Sequence, residues 1–197
     1  MLQRIILTIL LSYYRVLIMI DPNTGNEIGK HKDDKKNEAG NTIGNRWVRI
    51  INSSALFFLE ILSVIFRLNE PVNLFDWFLF ISATIGLFIS YWAYESLGNY
   101  YTFTLGIRKD HNIITKGPYN YFVHPGYLGQ YLIIIGSIMF YRISIFITIA
   151  TTIYVTYMFN KRMKAEEDML INQFGNEFTE FSSKRWRMFP YLFELLN

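Results

Sequence analysis

The sequence predicts an all-α integral membrane protein of about five transmembrane helices, with a C-terminal helical hairpin and a cytosolic amphipathic C-terminal helix. Three observations predict it. The 197-residue chain is 51% hydrophobic and 18% aromatic, with a positive mean hydropathy. Charged residues make up 18%, against about a quarter in a soluble domain. They are also clustered, and from Pro125 to Asn160 Arg142 alone carries a charge. That run is about twice the roughly 20 residues that one span needs. It suits two spans folded into a tight hairpin, with the turn near Tyr141-Arg142-Ile143-Ser144. A single buried soluble helix of that length would far exceed the mean of roughly 11–12 residues.

Leu2–Ile20 is apolar apart from a few polar side chains. It is read as a first span, because Asp21-Pro22-Asn23 is not the small-residue cleavage site of a signal peptide. Arg15 lies close enough to the polar end to snorkel. Asp21–Arg46 is rich in Asn, Gly, Lys and Asp, cannot bury a core and reads as a mobile loop. Trp47–Phe66 and Val72–Leu97 are the next two spans, separated by Arg67–Pro71. Glu60 is deep in the first, where a functional carboxylate and a packed, hydrogen-bonded one are equally good readings. Asp76 and Glu95 sit near opposite ends of the second, where water is expected to reach them.

Gly98–Val123 is a polar connector into the hairpin. Lys161 then opens a charged stretch whose apolar residues, Met169, Leu170, Ile171 and Phe174, suit an amphipathic helix ending at Gly175. Asn176–Asn197 mixes aromatic and basic residues, as a membrane-surface segment does. Placing Asp21–Arg46, Gly98–Val123 and Lys161–Asn197 in the cytosol leaves Arg4, Arg67 and Arg142 on the opposite side. The positive-inside rule favours that orientation. The chain 1–197 thus reads as one membrane domain, with spanning helices and the 21–46 loop in 1–97 and the chemistry in 98–197.

Composition narrows the chemistry. There is no cysteine, hence no disulfide, thiolate metal site or thiol nucleophile. The three histidines, His31, His111 and His124, are too few for a His-rich metal centre. A net charge of +3 without a dense Lys/Arg stripe gives no sign of nucleic acid binding.

Two segments flanking the hairpin carry the remaining signal. One runs His111-Asn112-Ile113-Ile114-Thr115-Lys116-Gly117-Pro118-Tyr119, then Val123-His124-Pro125-Gly126-Tyr127-Leu128-Gly129. The other runs Arg162-x-x-x-Glu166-Glu167, then Phe174-Gly175-Asn176-Glu177-Phe178-x-x-Phe181. Pro125 is tolerated in a first helical turn, so His124 stands at the mouth of the fourth helix. Arg162 and Glu166 lie one helical turn apart at the far end of the hairpin, which returns the chain to the same face. An imidazole, tyrosines, a guanidinium and a carboxylate would then line a pocket for a polar, charged cofactor beside a lipid. Each piece also has a plain reading. His-Pro can simply start a helix, and Arg162/Glu166 can be an i,i+4 pair worth about 0.2–0.5 kcal/mol. The tyrosines can form an interfacial belt, and Gly175 can be a cap.

The order of these motifs around a hydrophobic hairpin resembles the isoprenylcysteine carboxyl methyltransferase family of membrane methyltransferases. The resemblance covers about Gly98–Pro190, with Pro190 at a late family proline; the N-terminal half resembles it only as hydrophobic helices. It implies an S-adenosylmethionine site lined by His111, Asn112, Ile113, Ile114, Tyr119, His124, Pro125, Gly126, Tyr127 and Glu166. It implies Arg162 as the contact for the substrate carboxylate, a prenylated protein or prenylcysteine as substrate, and no metal or nucleic acid. It also implies an endoplasmic reticulum location in a eukaryote, with the site facing the cytosol. Acceptors such as Glu166 suit the ribose hydroxyls and ammonium of S-adenosylmethionine, and a guanidinium suits a carboxylate. Such a transfer needs no general base, since a carboxylate is already ionised at neutral pH. Val123 departs from the arginine that usually precedes His-Pro, and Phe178 and Phe181 replace tyrosines. The first change leaves the substrate less defined than the methyl transfer. The alternatives are a membrane phospholipid (amine) methyltransferase, an NADPH-dependent sterol-reductase-like enzyme and a non-catalytic scaffold.

Overall fold

A computed structural model describes residues 5–10, 70–100, 112–141 and 144–189. Among these residues the architecture is helical, with one isolated parallel bridge between Phe122 and Trp186. Helix α1 (Leu74–Leu97) is followed by two short 3-10 turns, Gly98–Tyr100 and Gly117–Asn120. Then come α2 (Pro125–Tyr141), α3 (Ile145–Phe174) and α4 (Asn176–Ser183). Of the expected first span only residues 5–10 are described, and they are helical. The loop 21–46, the span Trp47–Phe66 and its Glu60 lie outside the described residues.

α1 starts where a reciprocal cap satisfies its free amides. The Asp76 amide donates to the Asn73 side chain at 2.9 Å, and the Asn73 amide donates to the Asp76 carboxylate at 3.1 Å. Asp76 is therefore turned back onto the backbone and fully buried, correcting the expectation that water reaches it. Glu95, near the other end, is exposed as expected. Among the described residues α1 is the helix long and apolar enough to cross a membrane. Leu74, Phe78, Ile81, Ile85 and Phe88 project outward uncovered, a surface suited to lipid.

The inner face of α1 carries Ala83, Gly86 and Ser90 against Gly129, Ile133 and Gly136 of α2. A β-carbon added at Gly86 would lie 2.6 Å from the Gly129 carbonyl. Small residues let the two backbones touch, the usual way helices associate where surrounding tails are as apolar as leucine. At the far end Leu7, Leu79, Ala83, Phe140 and Tyr141 form one buried cluster, so the N-terminal helical stretch packs on this pair.

The expected turn falls between α2 and α3, with residues 142–143 outside the described set. α2 and α3 run antiparallel, with Tyr131 hydrogen-bonded to Thr156 at 3.2 Å and Tyr127 edge-on to Phe159. α3 has 30 residues, roughly 45 Å at 1.5 Å per residue. It continues unbroken through Asn160-Lys161, so the apolar arm and the charged stretch are one helix. The hydroxyls of Thr148, Thr152 and Thr156 each donate to the carbonyl four residues back, which hides them from an apolar surrounding. α3 ends at Gly175, whose φ of 54° is a conformation glycine adopts without strain.

Candidate active site

His124 precedes the first residue of α2 and its carbonyl accepts the Leu128 amide at 3.2 Å. Pro125 costs nothing there, because an amide in the first turn has no helical partner. Tyr127 follows three residues later on the same face, its ring edge-on to His124 at 5.7 Å between centroids. Opposite them α3 presents Arg162, Glu166 and Glu167.

These side chains form one polar chain. The Tyr127 hydroxyl donates to Glu166 Oε1 at 2.5 Å and accepts from Arg162 Nε at 2.7 Å. Arg162 Nε also reaches Glu166 Oε1 at 3.4 Å. The His124 ring is buried between two carboxylates, with Nε2 at 2.8 Å from Glu167 Oε1 and Nδ1 at 3.7 Å from Glu166 Oε2. Arg187 then donates to Glu167 Oε1 at 2.7 Å, and its other arm donates to Asn160. Burial opposes ionisation of Glu167, but the hydrogen bonds and charges of His124 and Arg187 outweigh it and hold the carboxyl below its ordinary range. Burial, with the nearby Tyr94 and Glu166, pushes the Tyr119 phenol well above its usual range, so it stays neutral.

The residues expected to form a site are brought together unevenly. His124, Tyr127, Arg162 and Glu166 meet directly. Pro125 and Gly126 form the first turn of α2 behind them, with the Gly126 carbonyl accepting from Ser90 at 3.5 Å. Tyr119 is close enough to Glu166 to feel its charge, and it packs on a cluster of Val123, Phe178 and Phe181. Ile113 packs on that cluster too, Ile114 is half-buried and Asn112 is exposed. His111 lies outside the described residues. Val123 is buried in the apolar cluster, so that position offers no cation to a ligand.

Glu167, Asn160 and Arg187 complete the chain; Glu167 belongs to the quoted motif but carries no role there, and the sequence reading does not single out Asn160 and Arg187. Asn160 and Glu167 are seven residues apart, hence on one helix face, a signal the sequence does hold. Arg187 is placed by long-range backbone pairing instead. Val123 N donates to Trp186 O at 2.9 Å, His124 N to Arg187 O at 3.0 Å, and Trp186 N to Tyr121 O at 3.1 Å. Residues 186–188, within the stretch expected at the membrane surface, are therefore docked on the His-Pro loop.

Residues 77–172 match the model of the isoprenylcysteine carboxyl methyltransferase (ICMT) family. Through these residues, just under half of the chain, it is similar to the ICMT family. The match takes in most of α1, all of α2 and most of α3, so it reaches further toward the N-terminus than the motif resemblance, and it stops before Arg187. The chain is similar to the uncharacterized protein YpbQ of Bacillus subtilis, 28% identical over 61% of this chain and 71% of that one. It is 30% identical to a probable protein-S-isoprenylcysteine O-methyltransferase of Oryza sativa, over 55% of this chain and 57% of the relative. It is also 30% identical to the protein-S-isoprenylcysteine O-methyltransferase of Schizosaccharomyces pombe, over 39% of this chain and 32% of the relative. The chain thus spans little more than half of the rice protein and about a third of the yeast one.

Proposed function

We propose that this chain is a member of the ICMT family and methylates the C-terminal carboxylate of an isoprenylated cysteine with S-adenosylmethionine as methyl donor. The observation that carries the reading is the His124–Glu166–Tyr127–Arg162 constellation where α2 meets α3, inside the family-matched residues. The donor set fits the cofactor. Glu166 keeps 24% of its side chain exposed next to the Tyr127 ring, which suits a ligand bearing ammonium and sulfonium charges. S-Adenosylmethionine, when bound, supplies an activated methyl group.

The chain's own residues then have to bind and align. Glu166 accepts from the cofactor's polar groups while Tyr127 and Arg162 hold it in place. Arg162, 38% exposed, offers positive charge to the substrate carboxylate. His124, fixed between two carboxylates, presents one ring edge to the site. Rate enhancement comes from proximity and alignment, because the attacking carboxylate is already ionised. The uncovered apolar faces of α1 and α3 support a lipid-embedded chain whose prenylated substrate approaches from the bilayer. With the expected spans at residues 2–20 and 47–66 this gives five spans, with the site on the cytosolic side. In a eukaryote the endoplasmic reticulum is the expected membrane.

The test is transfer of labelled methyl from S-adenosylmethionine to a farnesylcysteine analogue by the purified chain, read as base-labile ester. Arg162→Ala and Glu166→Ala should each lower the rate by about 100-fold or more, as when a group acting on the reacting centre is removed. Near-normal activity in both would sink the assignment. The apolar burial of Val123 favours one second reading, a lipid amine as acceptor, because an amine needs no carboxylate-binding cation. Label in a lipid headgroup instead of an ester would decide for it.

A further inference from the structure

We propose that Arg187, on the C-terminal segment and outside the family-matched residues, is a positioning residue of this site: through Glu167 it fixes the His124 ring. The inference rests on the proposed cofactor site at His124 and Glu166. Glu167, held ionised, can only accept. The 2.8 Å contact therefore requires the proton on Nε2 of His124, which leaves Nδ1 as the ring atom facing Glu166 at 3.7 Å. Glu167 is itself held by the Arg187 guanidinium at 2.7 Å, and that guanidinium is braced by the Asn160 amide oxygen on α3. The order Asn160–Arg187–Glu167–His124–Glu166 thus connects the C-terminal segment to the face on which the ligand would lie.

Docking of the segment alone does not explain this guanidinium. Three backbone hydrogen bonds already tie residues 186 and 187 to residues 121–124. Arg185 adds bonds of 2.7 Å to the carbonyls of Tyr119 and Phe181. Neither set reaches Glu167. What Arg187 adds is charge on a carboxylate that would otherwise face the imidazole uncompensated. Without it, Glu167 is free to turn away from the ring and release it, which alters how His124 faces Glu166 and the cofactor.

The experiment uses the full chain in lipid nanodiscs with nitrogen-15-labelled histidine. The His124 signals are assigned by their loss in His124→Ala. Two quantities are read: the ring tautomer without ligand, and the dissociation constant for S-adenosylmethionine by calorimetry. The wild type should show the proton on Nε2, hydrogen-bonded to Glu167. Arg187→Ala should abolish that signature and weaken binding by about tenfold, the lower end of what losing an orienting partner costs at metal-binding histidines. Arg187→Lys should restore most of both. Arg185→Ala, which loosens the same segment without touching Glu167, should keep the signature. An unchanged ring and affinity in Arg187→Ala would overturn the inference, as would an equal ring change in Arg185→Ala. A wild type that binds no S-adenosylmethionine would overturn the proposed function instead, and the ring signature would still decide the role of Arg187.

Discussion

α1 and α2 meet backbone to backbone, whereas α3 is held to α2 by side chains near its polar end. Along the first contact Gly86 and Gly129 leave no room for a β-carbon, and Gly136 lies close against Leu79 and Ala83. Of the 30 residues of α3 only Val155 and Met163 are buried, and its apolar half shows Ile145, Phe146, Ile149 and Ile153 to the outside. What fixes α3 is the polar chain from Arg162 to Asn160, with the aromatic contacts of Tyr127 and Tyr131 on Phe159. The α1–α2 pair is thus a rigid platform presenting His124 and Tyr127. The proposed active site is also the joint that attaches the second arm.

The largest effect should come from filling the platform's seam. In Gly129→Ala the new methyl would collide with the Ser90 hydroxyl and the Gly86 carbonyl. Ser90 can rotate, but a backbone carbonyl in a packed helix cannot move away. The expected loss is about 3 kcal/mol, the upper end for overpacking, read as a lower unfolding midpoint in detergent. A stability within error of wild type would show that the two helices slide past one another freely.

The joint should respond to acid where the seam does not. Glu167 is held below its ordinary value of 4.5 in the folded chain. A depressed carboxylate gives stability that is complete above its unfolded value and is lost as pH falls through its folded one. Wild-type stability should therefore drop below about pH 4.5 relative to Glu167→Gln. At neutral pH the variant should be weaker by about 1.5–2 kcal/mol, the scale of hydrogen bonds to a charge. Thermal unfolding of both proteins across pH checks the sign, and parallel curves would contradict it. A smaller effect is expected in Tyr127→Phe. It removes the hydroxyl between Glu166 and Arg162 but keeps the ring on Phe159. Losing one such bond is worth about 1.4 kcal/mol, or tenfold in kcat/KM in the methyl-transfer assay.

The platform was more legible in the sequence than the joint. A long apolar run gives α1, Pro125 gives the start of α2 and Gly175 the end of α3, because each of these signals is local. The change of polarity at Asn160-Lys161 marks no helix boundary, because helical hydrogen bonding runs four residues at a time and ignores it. Asp76 is expected near water from its place at the end of the span; the Asn73-x-x-Asp76 spacing is that of a reciprocal cap and puts the carboxylate on the backbone. In the site, His124, Tyr127, Arg162 and Glu166 were legible as ends of one hairpin. Arg187 was not, since it arrives through backbone pairing with residues 121–124, which no periodicity encodes.

The smallest effect is the one that tests the other side of the comparison. Ile149 lies on the uncovered half of α3, 51% exposed. If that face meets lipid, Ile149→Ala exchanges one apolar side chain for a smaller one in an apolar surrounding and opens no cavity. The change in stability should stay within about 0.5 kcal/mol, as for substitutions away from packed contacts. Ile149→Lys should behave differently in a membrane, with a cost approaching the roughly 2.5–3.5 kcal/mol of a lysine at the helix centre. Membrane integration and detergent stability of the two variants can be measured side by side. Poor integration of the lysine variant, with the alanine variant unchanged, is the outcome that fits an arm held at its polar end and bathed in lipid along the rest. A large loss in Ile149→Ala would instead mean that this face is packed against protein, and α3 would then be a second platform rather than an arm.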